Sequence, residues 1–236
     1  MAHVVHSYVD VPATAHACAD RVAHLLRELI GARGSAHLAL SGGNTPKSMY
    51  AVLAGLPNID WSRVHFWWGD ERCVPHTDKD SNERMARESL LSKIRFTESN
   101  VHGVPTTLSP SECAAAYEAE LRRTCDTDPI SKMPAIDILL LGIGDDGHTL
   151  SLFPRSPTLA EATKAVAPTI APPTSPVKDR VTLTFPAARA AKYRIFLAAG
   201  ADKKPVVAGC LANPPADQPS ARVGDAEWFL DAAATP

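Results

Sequence analysis

The tripeptide Asp146-Gly147-His148 contains the residue types needed for general acid–base chemistry. Glycine permits a tight turn, so the carboxylate and the imidazole can lie at the same end of a strand. An imidazole with an ordinary pKa of about 6.5 can take a proton from water and return it to a leaving group. We take His148 as a candidate general base and Asp146 as the residue that orients it, with Asp70 as the alternative carboxylate. A surface Asp–His pair without a catalytic role has the same pattern.

The segment Ser41-Gly42-Gly43-Asn44-Thr45-Pro46 has the composition of an anion-binding turn. Two glycines let backbone N–H groups approach a phosphate closely, and a helix capped by Thr45 with Pro46 in its first position would add its positive dipole. The spacing of a P-loop is missing. An ordinary turn into a helix uses the same residues, so both interpretations remain open. The candidate phosphate-binding residues here are Ser41, Gly42, Gly43, Asn44 and Thr45.

Three positively charged side chains are further candidates for binding an anion. Arg72 ends the segment Gly69-Asp70-Glu71-Arg72, Arg180 directly precedes a predicted strand, and Lys203 opens a predicted helix. A guanidinium presents a rigid fork of donors that fits a phosphate. A lysine at a helix start is mildly unfavourable against the helix dipole, which favours a role for it in ligand binding. An ordinary solvated charge is the alternative for each side chain.

Residues 142–147 contain the Gly-x-Gly-x-x-Gly spacing of dinucleotide-binding turns. That motif should open a helix and be followed by an acidic residue at the end of the next strand. Pro154 and Pro157 interrupt the chain instead. The context therefore argues against a dinucleotide at this turn.

The overall composition narrows the class of protein. Of 236 residues 45% are hydrophobic, which excludes intrinsic disorder, and no apolar run approaches the length of a membrane span. A formal net charge of −2 gives no reason to expect nucleic-acid or membrane partners. The first ten residues do not resemble a secretory signal, so we expect a cytoplasmic protein. Five cysteines without a Cys-x-x-Cys pair predict neither disulfides nor a metal site.

Strand-like and helix-like segments alternate along the chain, which is typical of a doubly wound α/β fold with a mostly parallel sheet. We expect one domain over residues 1–236, with the aliphatic strand 136–141 in the middle of the sheet. The Pro-rich stretch 154–176 is predicted to be a surface loop beside a site. The predicted strands are 4–9, 37–40, 64–68, 136–141, 181–185 and 193–198. The predicted helices are 12–30 (ended by Gly31), one starting at Thr45-Pro46, 82–91 and 110–123.

The candidate loops follow strands, and ligands of doubly wound sheets bind beyond the carboxyl ends of the strands. We therefore expect the loops at 41–46, 69–72 and 142–149 to converge. Together these loops, with 150–154, resemble the signature blocks of the 6-phosphogluconolactonase family. The segments 180–184 and 200–203 resemble two further blocks of that family in the expected order. Leu150 departs from the pattern, which usually has a small residue there.

The resemblance implies hydrolysis of 6-phospho-D-glucono-1,5-lactone to 6-phosphogluconate, the second step of the oxidative pentose phosphate pathway, without a metal or organic cofactor. It also implies a three-layer α/β/α fold shared with glucosamine-6-phosphate deaminases, ribose-5-phosphate isomerases and CoA transferases. In this interpretation His148 is the base, and the backbone of the Gly42–Thr45 segment binds the 6-phosphate with Arg72, Arg180 and Lys203. Backbone N–H groups near Gly42 and Gly144 are the candidate oxyanion donors.

Two alternative functions remain open. Glucosamine-6-phosphate deaminases share the Asp-Gly-His turn, but their pattern usually places a carboxylate five positions after the histidine, where this chain has Phe153, and a tyrosine where it has Arg72. A non-catalytic sugar-phosphate sensor would use the same phosphate-binding residues and leave His148 idle. The expected partner is a small-molecule sugar phosphate lactone, and we expect a monomer or a weak homodimer.

Overall fold

The computed structural model describes residues 3–212 and 215–236. Its strands are β1 (Val4–Tyr8), β2 (Ala36–Leu40), β3 (Val64–Trp68), β4 (Asp70–Arg72), β5 (Asp126–Thr127), β6 (Pro134–Ala135), β7 (Ile138–Leu141), β8 (Val166–Ile170), β9 (Asp179–Leu183), β10 (Tyr193–Ala198) and β11 (Glu227–Asp231). Its α-helices are α1 (Val11–Arg33), α2 (Asn44–Leu53), α3 (Asn82–Ser89), α4 (Pro110–Thr124), α5 (Phe185–Ala190) and α6 (Lys204–Leu211). Within this part of the chain, no helix combines the length and apolar character needed to cross a membrane.

The main sheet has six strands in the order β1-β11-β10-β7-β2-β3, and every neighbouring pair is parallel. The central position predicted for the aliphatic strand is therefore confirmed, because β7 lies between β10 and β2. From the β7–β2 boundary the later strands β10 and β11 lie to one side, whereas β3 lies to the other. Such a reversal of strand order opens a crevice at the carboxyl edge of the sheet.

Alternating side chains of the central strands pack into two separate cores, one on each face of the sheet. Leu139 and Leu141 of β7 pack with α4, α5 and α6. Ile138 and Leu140 pack on the opposite face with α1, α2 and α3. A strand buried on both faces must be apolar at every position, as β7 is. The structure thus confirms the predicted three-layer α/β fold.

A smaller antiparallel sheet, in the order β4-β9-β8, lies beyond the end of β3. Gly69 connects β3 to β4, and its carbonyl accepts a hydrogen bond of 2.8 Å from the N–H of Leu183. A Cβ at Gly69 would lie 2.6 Å from Leu150 Cδ2, so a larger residue here would push the side chain of Leu150 aside. Leu150 itself has a φ of 56°, a left-handed conformation that is uncommon for a branched residue.

Two predicted helix boundaries are wrong. Helix α1 continues through Gly31 to Arg33 and ends at Gly34, whose left-handed φ of 85° lets its N–H bond to the carbonyl of Ile30. Helix α2 begins at Asn44, after Gly43 with a φ of 107°, rather than after a Thr45 cap. In both places a glycine with positive φ marks the boundary.

The predicted irregular loop over 154–176 is also wrong in part, because this stretch contains strand β8. Pro168 is tolerated there since β8 is an edge strand of the small sheet. The predicted strand 181–185 is shifted: β9 ends at Leu183, and Phe185 begins α5. Strand β11, between β1 and β10, was not predicted.

Candidate active site

A cavity of about 300 Å³ lies at the carboxyl ends of β2, β3 and β7, where the strand order reverses. The three loops that were expected to converge all contribute to its wall. We call it the central cavity. It is lined by Ser41, Gly42, Gly43, Asp70, Arg72, Asn82, Leu140, Gly142, Ile143, Gly144, His148, Leu150, Ser151, Phe153, Ser175 and Arg180.

His148 and Asp146 form a close pair in the turn after β7. The ring Nδ1 of His148 lies 2.5 Å from Asp146 Oδ1, and the same oxygen accepts the His148 backbone N–H at 3.0 Å. The side chain of His148 is 32% exposed, so the ring is accessible from the cavity rather than turned into the interior. Among the described residues Nε2 has no hydrogen-bond partner, which leaves it available to a ligand or water.

Glycines shape this turn so that the pair can form. Gly147 has a φ of 79°. A Cβ at Gly144 would lie 2.1 Å from His148 Nδ1 and 2.9 Å from Asp146 Oδ1, so only glycine leaves room for both side chains. The N–H of Gly144 donates to the His148 carbonyl at 2.9 Å. That N–H is therefore occupied, and Gly42 is left as the other candidate oxyanion donor.

The charge of Asp146 is stabilised by its neighbour. Partial burial opposes ionisation, but hydrogen bonds from the backbone and side chain of His148 hold the pKa of Asp146 below its usual range. A carboxylate that stays ionised can hold the Nδ1 proton of His148 and stabilise the imidazolium that forms when Nε2 accepts a proton.

Asp70, the alternative partner of His148, lines the central cavity but has a different contact. Its Oδ2 accepts a hydrogen bond of 2.5 Å from Ser151 Oγ. Ser151 is buried and also donates its backbone N–H to Thr182 Oγ1 at 3.2 Å. His148 is thus paired with Asp146, whereas Asp70 is paired with Ser151.

Arg72 and Arg180 are direct partners in the antiparallel pairing of β4 and β9. Arg180 is only 5% exposed; its Nε donates to the Val177 carbonyl at 3.1 Å, and its Nη2 lies 3.5 Å from Ser175 Oγ. Arg72 Nη1 donates to the Asp80 carbonyl, and its buried Nε has no partner. Among the described residues, neither guanidinium forms an ion pair with a carboxylate.

Two like charges directly opposite each other in a small sheet repel one another and destabilise the strand pairing. Burial, followed by the positive charge of Arg72, lowers the pKa of Arg180. An arginine nevertheless stays protonated at physiological pH. A dianion between the two guanidinium groups would remove the repulsion and use the unsatisfied donor, so this pair of arginines has the chemistry of a phosphate site.

Ser41 and Gly42 also line the central cavity. The N–H and carbonyl of Ser41 are both bonded to the Tyr50 hydroxyl, at 2.8 and 2.9 Å, which holds the loop against α2. A Cβ at Gly42 would lie 2.0 Å from Asn82 Oδ1. Asn82 in turn donates to the Asp70 carbonyl at 2.9 Å. Glycine is therefore needed for the close approach of the loop to α3.

Four predicted site residues do not line the central cavity: Asn44, Thr45, Asp146 and Lys203. Asn44 lines a neighbouring groove, and Thr45 is not part of either wall. Lys203 Nζ binds Asp145 and lies 3.3 Å from Asp202 Oδ2. Lys203 therefore holds the loop that carries His148.

Four contributors to the site were not identified from the sequence: Asn82, Ser151, Ser175 and Glu71. Glu71 is 1% exposed and accepts the N–H groups of Arg72, Asn82 and Glu83 together with the Ser81 hydroxyl. Burial raises its pKa, although these hydrogen bonds oppose the shift. Glu71 thereby fixes the start of α3 to β4 beside Arg72. Adjacent Asp and Glu residues look like a solvated turn, so no local signal distinguishes this role.

Phe153 stands where the deaminase pattern usually has a carboxylate. It is 6% exposed, and its ring centroid lies 4.8 Å from that of His148. The phenyl ring of Phe153 thus packs against the imidazole of His148. In the described ranges, no group of three or more His, Cys, Asp or Glu side chains could hold a metal ion.

The chain is similar to known proteins over nearly its whole length. It matches the family described as glucosamine-6-phosphate isomerases/6-phosphogluconolactonase over residues 10–230. It is 39% identical over 225 residues to the 6-phosphogluconolactonase of Nostoc sp., covering 91% of this chain and 90% of the relative. It is 37% identical over 243 residues to that of Streptomyces coelicolor, covering 98% and 92%. The solved structure of 6-phosphogluconolactonase from Trypanosoma brucei has a TM-score of 0.89 at 29% identity, covering 99% of this chain and 97% of that one.

Proposed function

The chain belongs to the family of glucosamine-6-phosphate isomerases and 6-phosphogluconolactonases, and we propose that it hydrolyses 6-phospho-D-glucono-1,5-lactone to 6-phosphogluconate. One observation carries this proposal. A single cavity is lined both by His148, which is paired with Asp146, and by Arg72 and Arg180, which face each other in the small sheet. This arrangement suits a substrate with an ester at one end and a phosphate at the other.

His148 acts as the general base in the proposed mechanism. Asp146 holds the proton on Nδ1, so the free Nε2 accepts a proton from water as the water oxygen attacks the lactone carbonyl. The tetrahedral intermediate then breaks its bond to the ring oxygen. His148 returns the proton to that oxygen, which becomes the hydroxyl of the open-chain acid. A lactone is an activated ester, so neither a covalent nucleophile nor a metal is needed.

The phosphate is held by Arg72 and Arg180 together with the backbone of Gly42 and Gly43. Binding energy from this remote group positions the carbonyl over His148. Asn44, Thr45 and Lys203 remain proposed phosphate ligands that require local movement, because they lie outside the cavity wall. Asp70 is proposed to orient substrate hydroxyl groups through its free oxygen, while Ser151 binds the other oxygen.

Deamination of glucosamine 6-phosphate is the competing reaction for this fold. We disfavour it because Phe153 covers the histidine where the deaminase pattern has a carboxylate. We also propose a cytoplasmic location and a monomer or weak homodimer; light scattering after size-exclusion chromatography tests the oligomeric state.

The decisive experiment follows lactone disappearance above its spontaneous rate, with glucosamine 6-phosphate tested in parallel for ammonia release. The wild type should hydrolyse the lactone and release no ammonia. The His148→Ala variant should keep its fold and lose about 10²- to 10⁴-fold in kcat. Full activity in this variant would remove His148 as the base. Tight sugar-phosphate binding without hydrolysis in the wild type would favour the sensor.

A further inference from the structure

His76 lies in the loop between β4 and α3, and each of its ring nitrogens faces an oxygen acceptor. Its Nδ1 lies 2.6 Å from Glu83 Oε2, and its Nε2 lies 2.9 Å from the carbonyl oxygen of Val104. A carbonyl oxygen can only accept, so Nε2 must carry a proton. Nδ1 then faces a carboxylate oxygen, and this contact is attractive only when a proton lies between the two atoms. The geometry therefore calls for an imidazolium, protonated on both nitrogens.

Glu83 is a well-placed partner for this cation, because its side chain is only 6% exposed. Its Oε1 binds Arg87 at 2.8 Å, and its Oε2 has no hydrogen-bond partner other than His76 in the described part of the chain. Burial opposes ionisation of Glu83, but His76 and Arg87 hold its pKa below the usual range. The charged groups that face the imidazolium are thus Glu83, with its neighbour Arg87, on α3 and Glu71 on β4.

These neighbours favour the charged form of His76. The bond to Glu83 raises the pKa of His76, and the negative charge of Glu71 acts in the same direction, whereas partial burial opposes the shift. The sign agrees with the two acceptors that the ring contacts. His76 therefore stays an imidazolium to a higher pH than a free histidine does.

The loop that His76 holds spans residues 73–80 and ends beside the guanidinium of Arg72. The carbonyl of Asp80 accepts a hydrogen bond from Arg72 Nη1. The N–H of Asp80 in turn donates to Asp78 Oδ1 at 2.8 Å, so this carbonyl belongs to a defined turn. The direction of the Arg72 guanidinium therefore depends on the conformation of the loop.

We propose that His76 is a positioning residue for the phosphate end of the substrate: its imidazolium, held between Glu83 and Val104, fixes the loop whose Asp80 carbonyl orients Arg72. The proposal rests on the proposed function in assigning Arg72 to the substrate phosphate. His76 does not line the central cavity, so it acts on substrate affinity rather than on the hydrolytic step.

The proposal predicts how KM depends on pH. The imidazolium is present below the raised pKa of His76 and is lost as the pH rises through it. The loop then loses one anchor, while Arg84 Nη1 still donates to the Thr77 carbonyl at 2.8 Å. We therefore expect KM to rise about 3- to 10-fold between about pH 6 and about pH 9, rather than binding to be lost.

NMR titration of the histidine rings measures the charge of His76 directly. Its signals, identified by their absence in His76→Gln, should titrate above the ordinary value of about 6.5. In Glu83→Gln they should titrate closer to that value, because the carboxylate charge is gone. The matched control is His24→Gln, since His24 and Glu28 form a pair at 3.4 Å in which both side chains are more than half exposed.

Steady-state kinetics over the same pH range separate positioning from a general loss of structure. The His76→Gln variant should show a KM about 3- to 10-fold above that of the wild type at low pH, converge with the wild type at high pH, and keep kcat within about 2-fold throughout. The His24→Gln variant should follow the wild type at every pH. Calorimetric titration of sulfate, a dianion whose charge does not change over this range, should show the same pattern in affinity without any turnover.

Three results would each overturn the role of His76: ring titration at the ordinary value in the wild type, the same pH dependence of KM in the wild type and His76→Gln, or no binding of sulfate at any pH. If His76→Gln does not fold, the ring titration and the sulfate affinity of the wild type must change over the same pH interval for the proposal to hold. Absence of lactone hydrolysis in the wild type would refute the proposed function, whereas the NMR and sulfate measurements would still decide the role of His76.

Discussion

The Nδ1 atom of His148 lies 2.5 Å from Oδ1 of Asp146, while Asp70, the other carboxylate of the cavity, bonds to Ser151 instead. We therefore expect Asp146→Asn to lower kcat by about 10²- to 10³-fold with little change in KM, because an amide neither fixes the ring tautomer nor stabilises the imidazolium. Steady-state kinetics of Asp146→Asn and Asp70→Asn provide the comparison. A larger loss of kcat in Asp70→Asn would show that the wrong carboxylate has been assigned.

Because Arg72 and Arg180 face each other, we expect a substitution of Arg180 to weaken substrate binding while leaving the stability of the protein nearly unchanged. The Arg180→Met variant should raise KM about 10-fold or more, because a charge-assisted contact to the phosphate is lost. Its melting temperature should stay within about 4 °C of the wild type, since removing the buried charge that faces Arg72 offsets the lost hydrogen bonds to Val177 and Ser175. Thermal unfolding and kinetics on the same preparation test this. Unchanged KM would mean that the phosphate lies elsewhere.

Gly144 should be required for activity rather than for folding. In Gly144→Ala the new methyl would lie 2.1 Å from His148 Nδ1, so the ring must turn away from Asp146. We expect kcat to fall about 10²-fold or more, because small misplacements of a catalytic group are costly. The structural control is Gly31→Ala in helix α1, where an added methyl meets nothing within 4 Å.

Gly31→Ala should leave the kinetics unchanged and raise the free energy of unfolding by about 0.5–1 kcal/mol, the usual gain of alanine over glycine inside a helix. Circular dichroism melts and lactone assays of both variants complete the comparison. Wild-type kcat in Gly144→Ala would argue against the need for a close His148–Asp146 contact.

A row of stacked histidines, formed by His37 of β2, His65 of β3 and the loop residue His102, predicts that acid destabilises the protein. Burial, followed by the nearby His65 and Arg33, lowers the pKa of His37 to about 3, and burial also lowers the pKa of His65 and His102. As the pH falls, these histidines are therefore protonated near pH 6.5 in the unfolded chain but only at a lower pH in the folded chain. The contribution of these histidines to the free energy of unfolding is therefore complete above about pH 6.5 and declines as the pH falls toward 3. His37 alone accounts for a loss of about 2 kcal/mol by pH 5.

The variant His37→Gln should weaken this decline between pH 7 and pH 5, because it removes one titrating group. The glutamine can still accept the hydrogen bond that Trp67 Nε1 donates to His37 at 3.0 Å. Urea unfolding at several pH values is the measurement. His24→Gln is the control, since His24 has a side chain 57% exposed. The same pH dependence in His37→Gln as in the wild type would exclude the buried histidine as its source.

Several features were readable from the sequence because they are local or follow a simple period. The aliphatic run of β7 predicted a strand buried on both faces, and the sheet places it in the middle. Asp146, Gly147 and His148 lie in one turn, so their proximity follows from glycine geometry alone. The end of α1 and the start of α2 were harder to predict, because neighbouring glycines could each mark the boundary and only their backbone angles show which one does.

Other features depend on pairings between distant segments, which no local pattern encodes. The register of β4 against β9 sets Arg72 opposite Arg180. Pairing with β9 also makes residues 166–170, within the Pro-rich stretch, a strand. The contacts of Lys203 with Asp145 and of Glu71 with the start of α3 likewise exist only after folding. The sequence by itself determined the fold class and the residues able to do the chemistry. The tertiary structure decided which charges face one another, because strand register and burial set the distances between them.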